Sequence, residues 1–145
     1  MQNQLISMNV TQVGVMRFSA KTSHGAEILS EPSPMLGGSG AIPNPMEYLI
    51  ASIGTCAAIK IQLDLTKMGC TPKSIGVKIE CSQKMTPPQV LEHIHLAFTL
   101  SGMLDEEKVS EAIHEVMILY CPVAVMVGRS STITWDHQIL DSVPE

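Results

Sequence analysis

Alternating apolar and polar positions predict β-strands in five parts of the chain. The first two stretches are close in sequence and indicate a hairpin, because only Ser23-His24-Gly25 and a few polar neighbours separate them. The third and fourth are separated by Thr86-Pro87-Pro88, which predicts a second antiparallel pair. Residues 31–45 hold four prolines and three glycines and are expected to form a loop. The strand stretches cover residues 10–20, 26–29, 75–81, 94–100 and 131–140.

A helical pattern follows Asn44, which suits an N-cap, and Pro45, which suits the first helical position. It runs over residues 46–68 and ends at Gly69. The first half of this helix is apolar almost all round, so we expect other elements to enclose it. Its uncharged run, residues 48–59, is shorter than the ~20 residues that span a bilayer, which favours a buried helix over a membrane span.

A second helix is expected at Asp105-Glu106-Glu107, because acidic residues favour the positive end of a helix dipole. Pro122 disfavours helical backbone at Cys121, so this helix should stop there, and a short helix should follow and end near Gly128. The apolar positions of the second helix form one stripe at helical spacing: Val109, Ala112, Ile113, Val116, Met117 and Tyr120.

Composition limits the class of protein. The 145 residues suit a single domain, residues 1–145, and 45% hydrophobic against 16% charged residues is enough for a packed core. A net charge of −5 without any basic cluster argues against nucleic-acid binding. The N-terminus lacks the basic start and long apolar stretch of a secretory signal, so we expect a cytoplasmic protein without a membrane partner.

The cysteines are the main candidates for chemistry. Cys56 lies in the middle of the long helix, and Cys121 lies at a helix start, where amide N–H groups favour a thiolate. Cys70 and Cys81 have the positions of structural residues. No Cys-X-X-Cys motif is present, which argues against a zinc ribbon or a thioredoxin-type site. His93 and His95 share one face of a strand and could hold a metal, but without a third ligand nearby they are more typical of a solvated face, and we expect no metal and no cofactor.

Several short motifs occur in an order that is specific as a set. Asn44-Pro45 is followed by Glu47-Tyr48-Leu49, the helix reaches Cys56, and Cys121-Pro122-Val123 precedes the last strand. With the turn at residues 68–75, this set resembles the OsmC/Ohr superfamily, which comprises the osmotically inducible protein C and the organic hydroperoxide resistance proteins. The resemblance covers nearly the whole chain.

The resemblance implies an α+β fold in which two antiparallel β-sheets wrap long central helices in an intertwined homodimer. It also implies reduction of organic hydroperoxides, in which Cys56 attacks the O–O bond and Cys121 resolves the sulfenic acid as a disulfide. A small or lipoyl dithiol would then restore the thiols. The family's activating arginine lies in the N-terminal hairpin, where this chain offers Arg17 and Lys21, and the carboxylate next to the position of its catalytic glutamate is Glu47.

The sequence departs from the family at one position that matters for chemistry. The family's peroxidases carry a glutamate directly after the proline that opens the helix, and here that residue is Met46, with Glu47 one position later. Two alternatives therefore stay open beside a peroxidase. One is a weakly catalytic or non-catalytic protein that binds an acyl or thiol-bearing metabolite, and the other is a redox sensor.

Overall fold

The structure, a computed structural model, describes residues 2–141 and has the expected α+β content. It divides into two compact units, Met1–Leu49 and Ile50–Glu145. Each unit contains one three-stranded sheet, and the long helix begins in the first unit and continues in the second. The ends of the predicted single domain, residue 1 and residues 142–145, lie outside the described residues.

The N-terminal sheet has three antiparallel strands in the order β1, β2, β3 rather than the two of a hairpin. The chain turns within the first predicted strand, where the amide of Val13 donates to the carbonyl oxygen of Arg17 at 2.9 Å. A second turn at Gly25, whose φ of 87° favours glycine, leads into the last strand. The strands are β1 (Met8–Gln12), β2 (Phe18–Thr22) and β3 (Glu27–Ser30).

The long helix, α1, spans Pro45–Lys67, close to the predicted bounds. It is long and apolar enough to cross a membrane by length and composition alone. The expectation that its first half is enclosed is wrong, because burial is confined to one stripe and Ile59 is 60% exposed. The buried stripe consists of Ile53, Gly54, Ala57, Ile61 and Leu65.

The second sheet has the order β4, β5, β6, and its core face is formed mainly by the middle strand. β4 pairs antiparallel with β5 as predicted, but β6 pairs parallel with β5, so the expectation of two antiparallel sheets is wrong for this pair. The helices between β5 and β6 form the crossover that a parallel pair requires. The strands are β4 (Ser74–Gln83), β5 (Leu91–Ser101) and β6 (Thr132–Leu140).

The crossover contains α2 (Glu106–Glu115) and α3 (Pro122–Val127). Asp105 caps α2 by accepting a hydrogen bond from the amide of Lys108 at 3.0 Å, as the acidic start predicts. The break at Cys121 is confirmed as well. Between the two helices lies a π-helical turn, Val116–Tyr120, which the apolar stripe did not predict.

Candidate active site

The π-helical turn and α3 together fix the position of Cys121. The amide of Cys121 donates to the carbonyl oxygen of Val116 at 2.8 Å, which closes the π-helical turn. Pro122 then begins α3, and the amide of Ala124 donates to Sγ of Cys121 at 3.4 Å. The cysteine is therefore the N-cap of α3, and its side chain is 0% exposed.

Cys56 lies on α1 next to the buried stripe and is partly exposed. Its side chain is close enough to Cys121 to raise the pKa of the Cys121 thiol. The two cysteines are 65 positions apart in the sequence, yet they meet inside the C-terminal unit. The structure therefore brings together the two thiols that the sequence analysis singled out.

The environment of Cys121 opposes ionisation. The pKa of Cys121 is raised to about 11, mainly by burial and in smaller part by the side chain of Cys56, while the Ala124 amide acts in the opposite direction. The prediction that the helix start favours the thiolate of Cys121 is therefore wrong.

Arg17 takes part in a cluster around the buried carboxylate of Glu31 within the N-terminal unit. Its Nε atom lies 2.7 Å from Oε1 of Glu31, a carboxylate that is 6% exposed. Oε2 of Glu31 accepts hydrogen bonds from the hydroxyl of Ser39 at 2.5 Å and from its amide at 2.7 Å. The Ser39 hydroxyl, the Ser39 amide and Arg17 lower the pKa of Glu31 to about 2. The sequence analysis did not identify Glu31 or Ser39.

The carboxylate of Glu47 forms a hydrogen bond that caps the start of α1. It accepts from the amide of Asn44 at 2.8 Å, and Oδ1 of Asn44 accepts from the amide of Glu47 at 2.9 Å. This reciprocal arrangement is a capping box. Lys21 lies 3.9 Å from the carboxylate of Glu27 in an exposed pair. Arg17 and Glu47 belong to the N-terminal unit, and their catalytic roles stay predictions.

The other cysteines have structural surroundings. Sγ of Cys70 accepts a hydrogen bond from the amide of Asp105 at 3.4 Å, and Cys70 is buried. Burial raises the pKa of Cys81. Within residues 2–141, no group of three or more His, Cys, Asp and Glu side chains has the arrangement of a metal site.

Comparisons with known proteins agree with this architecture. Protein YhfA of Escherichia coli K12 is 28% identical over 127 residues, which cover 86% of this chain and 91% of YhfA. The fold matches an OsmC-like protein of Mycoplasma pneumoniae with a TM-score of 0.79 and 14% identity, over 96% of this chain and 99% of that one. It also matches the organic hydroperoxide resistance protein OhrB of Bacillus subtilis with a TM-score of 0.63 and 14% identity, over 91% and 98% of the two chains.

The family model of the OsmC-like proteins matches residues 38–136. This segment includes both interacting cysteines, all of α1 and most of the C-terminal sheet. A single helix such as α1 is weak evidence for a membrane span, because core helices of globular proteins can be equally long and apolar. The sequence match, the fold and the thiol pair agree, and the chain belongs to the OsmC-like protein family.

Proposed function

We propose that this protein is a thiol-dependent peroxidase that reduces organic hydroperoxides in oxidative or osmotic stress defence. Membership of the OsmC-like family, with its organic hydroperoxide resistance proteins, supports a stress-related redox role. The observation that carries the specific proposal is the proximity of the Cys56 and Cys121 side chains, since a two-cysteine cycle requires thiols that can form a disulfide.

In the proposed cycle, the thiolate of Cys56 attacks the terminal oxygen of the hydroperoxide. The O–O bond breaks, Cys56 becomes a sulfenic acid, and the alkoxide takes a proton and leaves as an alcohol. The sulfur of Cys121 then attacks the sulfenic sulfur, so that a disulfide forms and water leaves. A dithiol reduces the disulfide and is itself oxidised to a disulfide.

Contacts of the two thiols support this division of roles. Burial raises the pKa of Cys121 to about 11, so this thiol keeps its proton near neutral pH, which favours Cys56 as the nucleophile. Cys56 is also the partly exposed member of the pair, whereas Cys121 is fully buried. Apolar side chains that are between 47% and 65% exposed lie near both thiols in the sequence, at Ile59, Ile118 and Leu119. They favour an organic hydroperoxide over hydrogen peroxide.

Steady-state peroxide consumption tests the proposal. We expect turnover of cumene hydroperoxide with dihydrolipoamide, slower turnover of hydrogen peroxide, and background rates for Cys56→Ser. Cys121→Ser should consume about one equivalent and then stop, because its sulfenic acid has no resolving thiol. Cys81→Ser is the matched control and should retain activity. A parent protein whose cysteines stay reduced under peroxide would contradict the proposal.

A metabolite-binding function is the second candidate, and the surroundings of Glu47 favour it. Met46 occupies the position of the family's glutamate, and the carboxylate of Glu47 is hydrogen-bonded within the helix cap. Native mass spectrometry of the purified protein distinguishes the two functions. A bound small molecule together with absent turnover supports binding, whereas turnover by the ligand-free protein supports the peroxidase.

A further inference from the structure

The carboxylate of Glu31 is held by donors on both of its oxygen atoms. Oε1 accepts a hydrogen bond from Nε of Arg17 at 2.7 Å, and Oε2 accepts from the hydroxyl of Ser39 at 2.5 Å and from its amide at 2.7 Å. Glu31 is 6% exposed, so water competes little for these bonds. Hydrogen bonds to a charged group are short and strong, and these contacts fix the orientation of the carboxylate.

The loop that follows β3 is folded so that Ser39 reaches Glu31. The amide of Glu31 donates to the carbonyl oxygen of Pro43 at 3.3 Å, which brings the two ends of the loop together. Gly38, directly before Ser39, permits a close approach to Pro32, because a Cβ atom there would lie 1.8 Å from the Pro32 carbonyl oxygen. Main-chain contacts therefore support the position of Ser39.

Arg17 uses one edge of its guanidinium for this contact. Arg17 directly precedes β2 and Glu31 directly follows β3, so the pairing of Phe18 with Ser30 sets the two residues opposite each other. Among the hydrogen bonds of residues 2–141, the guanidinium makes this one through Nε, and the donors of its two Nη groups are left for another acceptor. The side chain is 44% exposed, so a ligand can reach these donors.

The proposed peroxidase cycle requires donors of this kind. Attack on the hydroperoxide breaks the O–O bond and places negative charge on the leaving alkoxide oxygen. Donors that are already oriented stabilise a developing charge without the cost of reorganising during the reaction. Arg17 is the predicted catalytic cation, and Glu31 orients its guanidinium in this way.

The carboxylate of Glu47 has a different partner. It accepts from the amide of Asn44 at 2.8 Å in the capping box of α1. We propose that Glu31 is the positioning residue for Arg17, and that Arg17 in turn stabilises the leaving alkoxide oxygen of the hydroperoxide. Ser39 holds Glu31 in the required orientation. This role of Glu31 rests on the proposed peroxidase function.

The test measures the rate at which peroxide oxidises Cys56 in a single turnover, without any reductant. We expect Glu31→Gln to slow oxidation by cumene hydroperoxide about tenfold, because a displaced guanidinium no longer meets the leaving oxygen. Arg17→Gln should slow it at least as much. The double variant should be no slower than Arg17→Gln alone, since Glu31 acts only through Arg17.

Two readouts separate positioning from a structural or purely electrostatic role. Removal of the negative charge beside Arg17 would by itself favour an anionic oxygen, so a through-space effect predicts faster oxidation in Glu31→Gln. Peracetic acid releases acetate, a much weaker base than an alkoxide, and needs less stabilisation by a donor. We therefore expect Glu31→Gln to slow peracetic acid less than about threefold. Damage to the surroundings of Cys56 would slow both peroxides equally.

Glu80→Gln, which alters an exposed ion pair on β4, is the matched control and should be oxidised at the parent rate. Ser39→Ala keeps the contact of Glu31 with Arg17 but removes one donor to the carboxylate. It should slow cumene hydroperoxide about threefold, and it provides a second test if Glu31→Gln does not fold.

Four results would overturn the role of Glu31 alone. They are an unchanged or higher rate for Glu31→Gln or Ser39→Ala, equal slowing of both peroxides, losses that add in the double variant, and an Arg17→Gln variant as fast as the parent. If peroxide does not oxidise Cys56 in the parent protein, the proposed function fails as well.

Discussion

The thiols of Cys56 and Cys121 are the same chemical group in different surroundings. Cys121 is sealed from solvent and retains its proton because burial raises its pKa to about 11. Cys56 is partly exposed. This asymmetry predicts different rates of alkylation, because a reagent can reach Cys56, whereas Cys121 is both buried and protonated.

We expect iodoacetamide at pH 8 to modify Cys56 well before Cys121 in the folded protein. The difference should be at least about tenfold, because Cys121 is almost wholly protonated at that pH. Peptide mass spectrometry at successive times measures both rates. In guanidinium chloride the four cysteines should react at similar rates, and faster labelling of Cys121 in the folded protein would contradict the assigned roles.

The Glu31 cluster predicts a dependence of stability on pH. The Ser39 hydroxyl, its amide and Arg17 lower the pKa of Glu31 from 4.5 to about 2, so the folded state favours the carboxylate. This contribution is complete above about pH 4.5 and is lost as the pH falls towards 2. Glu31→Gln should therefore lower Tm at pH 7. The difference in Tm between this variant and the parent should shrink as the pH falls from about 4.5 towards 2.

Thermal unfolding at pH 7, 4 and 3 measures this effect. Glu27→Gln, which alters only the exposed pair with Lys21, is the control and should change Tm little at any pH. A Glu31→Gln deficit that stays constant from pH 7 to pH 3 would show that the carboxylate charge does not stabilise the cluster.

Single-residue features were predictable where they depend on nearby sequence. The Cys121 N-cap and the Asn44–Glu47 contact follow from residues within three positions. The pKa of Cys121 depends instead on burial, which the local sequence does not contain. Arg17 meets Glu31 across 14 positions, a pairing that no local pattern indicates.

Among the larger elements, the loop after β3 depends on Gly38. A Cβ atom at this position would lie 1.8 Å from the carbonyl oxygen of Pro32, which is backbone and cannot move aside as a side chain can. We expect Gly38→Ala to lower the free energy of unfolding by about 1–3 kcal/mol through this overlap. Denaturant unfolding measures the change.

Gly76→Ala is the matched control for that substitution. A Cβ atom at Gly76 would lie 3.9 Å from the carbonyl oxygen of Thr99, an ordinary contact distance. The control should therefore change stability by less than about 1 kcal/mol. Equal effects of the two substitutions would exclude the close approach to Pro32 as the cause.

Secondary structure was predictable where side-chain periodicity and end signals coincide. The bounds of α1 and the break at Cys121 agree with the sequence because proline and glycine mark them. The parallel pairing of β6 with β5 and the π-helical turn were not predictable. Both depend on how distant segments pack, and alternation along a strand is the same in parallel and antiparallel pairs.

At the scale of the whole molecule, the exposed apolar residues indicate an interface. Ile59 of α1 is 60% exposed, and Leu119 of the π-helical turn is 65% exposed. Large exposed apolar patches on a protein surface often mark sites of interaction with another protein. The resemblance to the OsmC/Ohr superfamily implies an intertwined homodimer, and we propose that a second copy of this chain covers these residues.

Ile59→Glu tests the homodimer. A carboxylate buried in the interface without a partner should raise the dimer Kd by at least about tenfold. Size-exclusion chromatography with light scattering measures the mass over a range of concentrations. Met103→Glu, at a residue that is 98% exposed, is the control. A parent protein that is monomeric at all concentrations would contradict the proposal.

The most direct test of the central claim is to map disulfides after one equivalent of cumene hydroperoxide, without any reductant. The contact between the two thiols predicts an intramolecular Cys56–Cys121 bond, with Cys70 and Cys81 still reduced. It also predicts one equivalent of alcohol per chain. Four free thiols after peroxide treatment, or a disulfide that omits Cys56, would contradict the two-cysteine peroxidase.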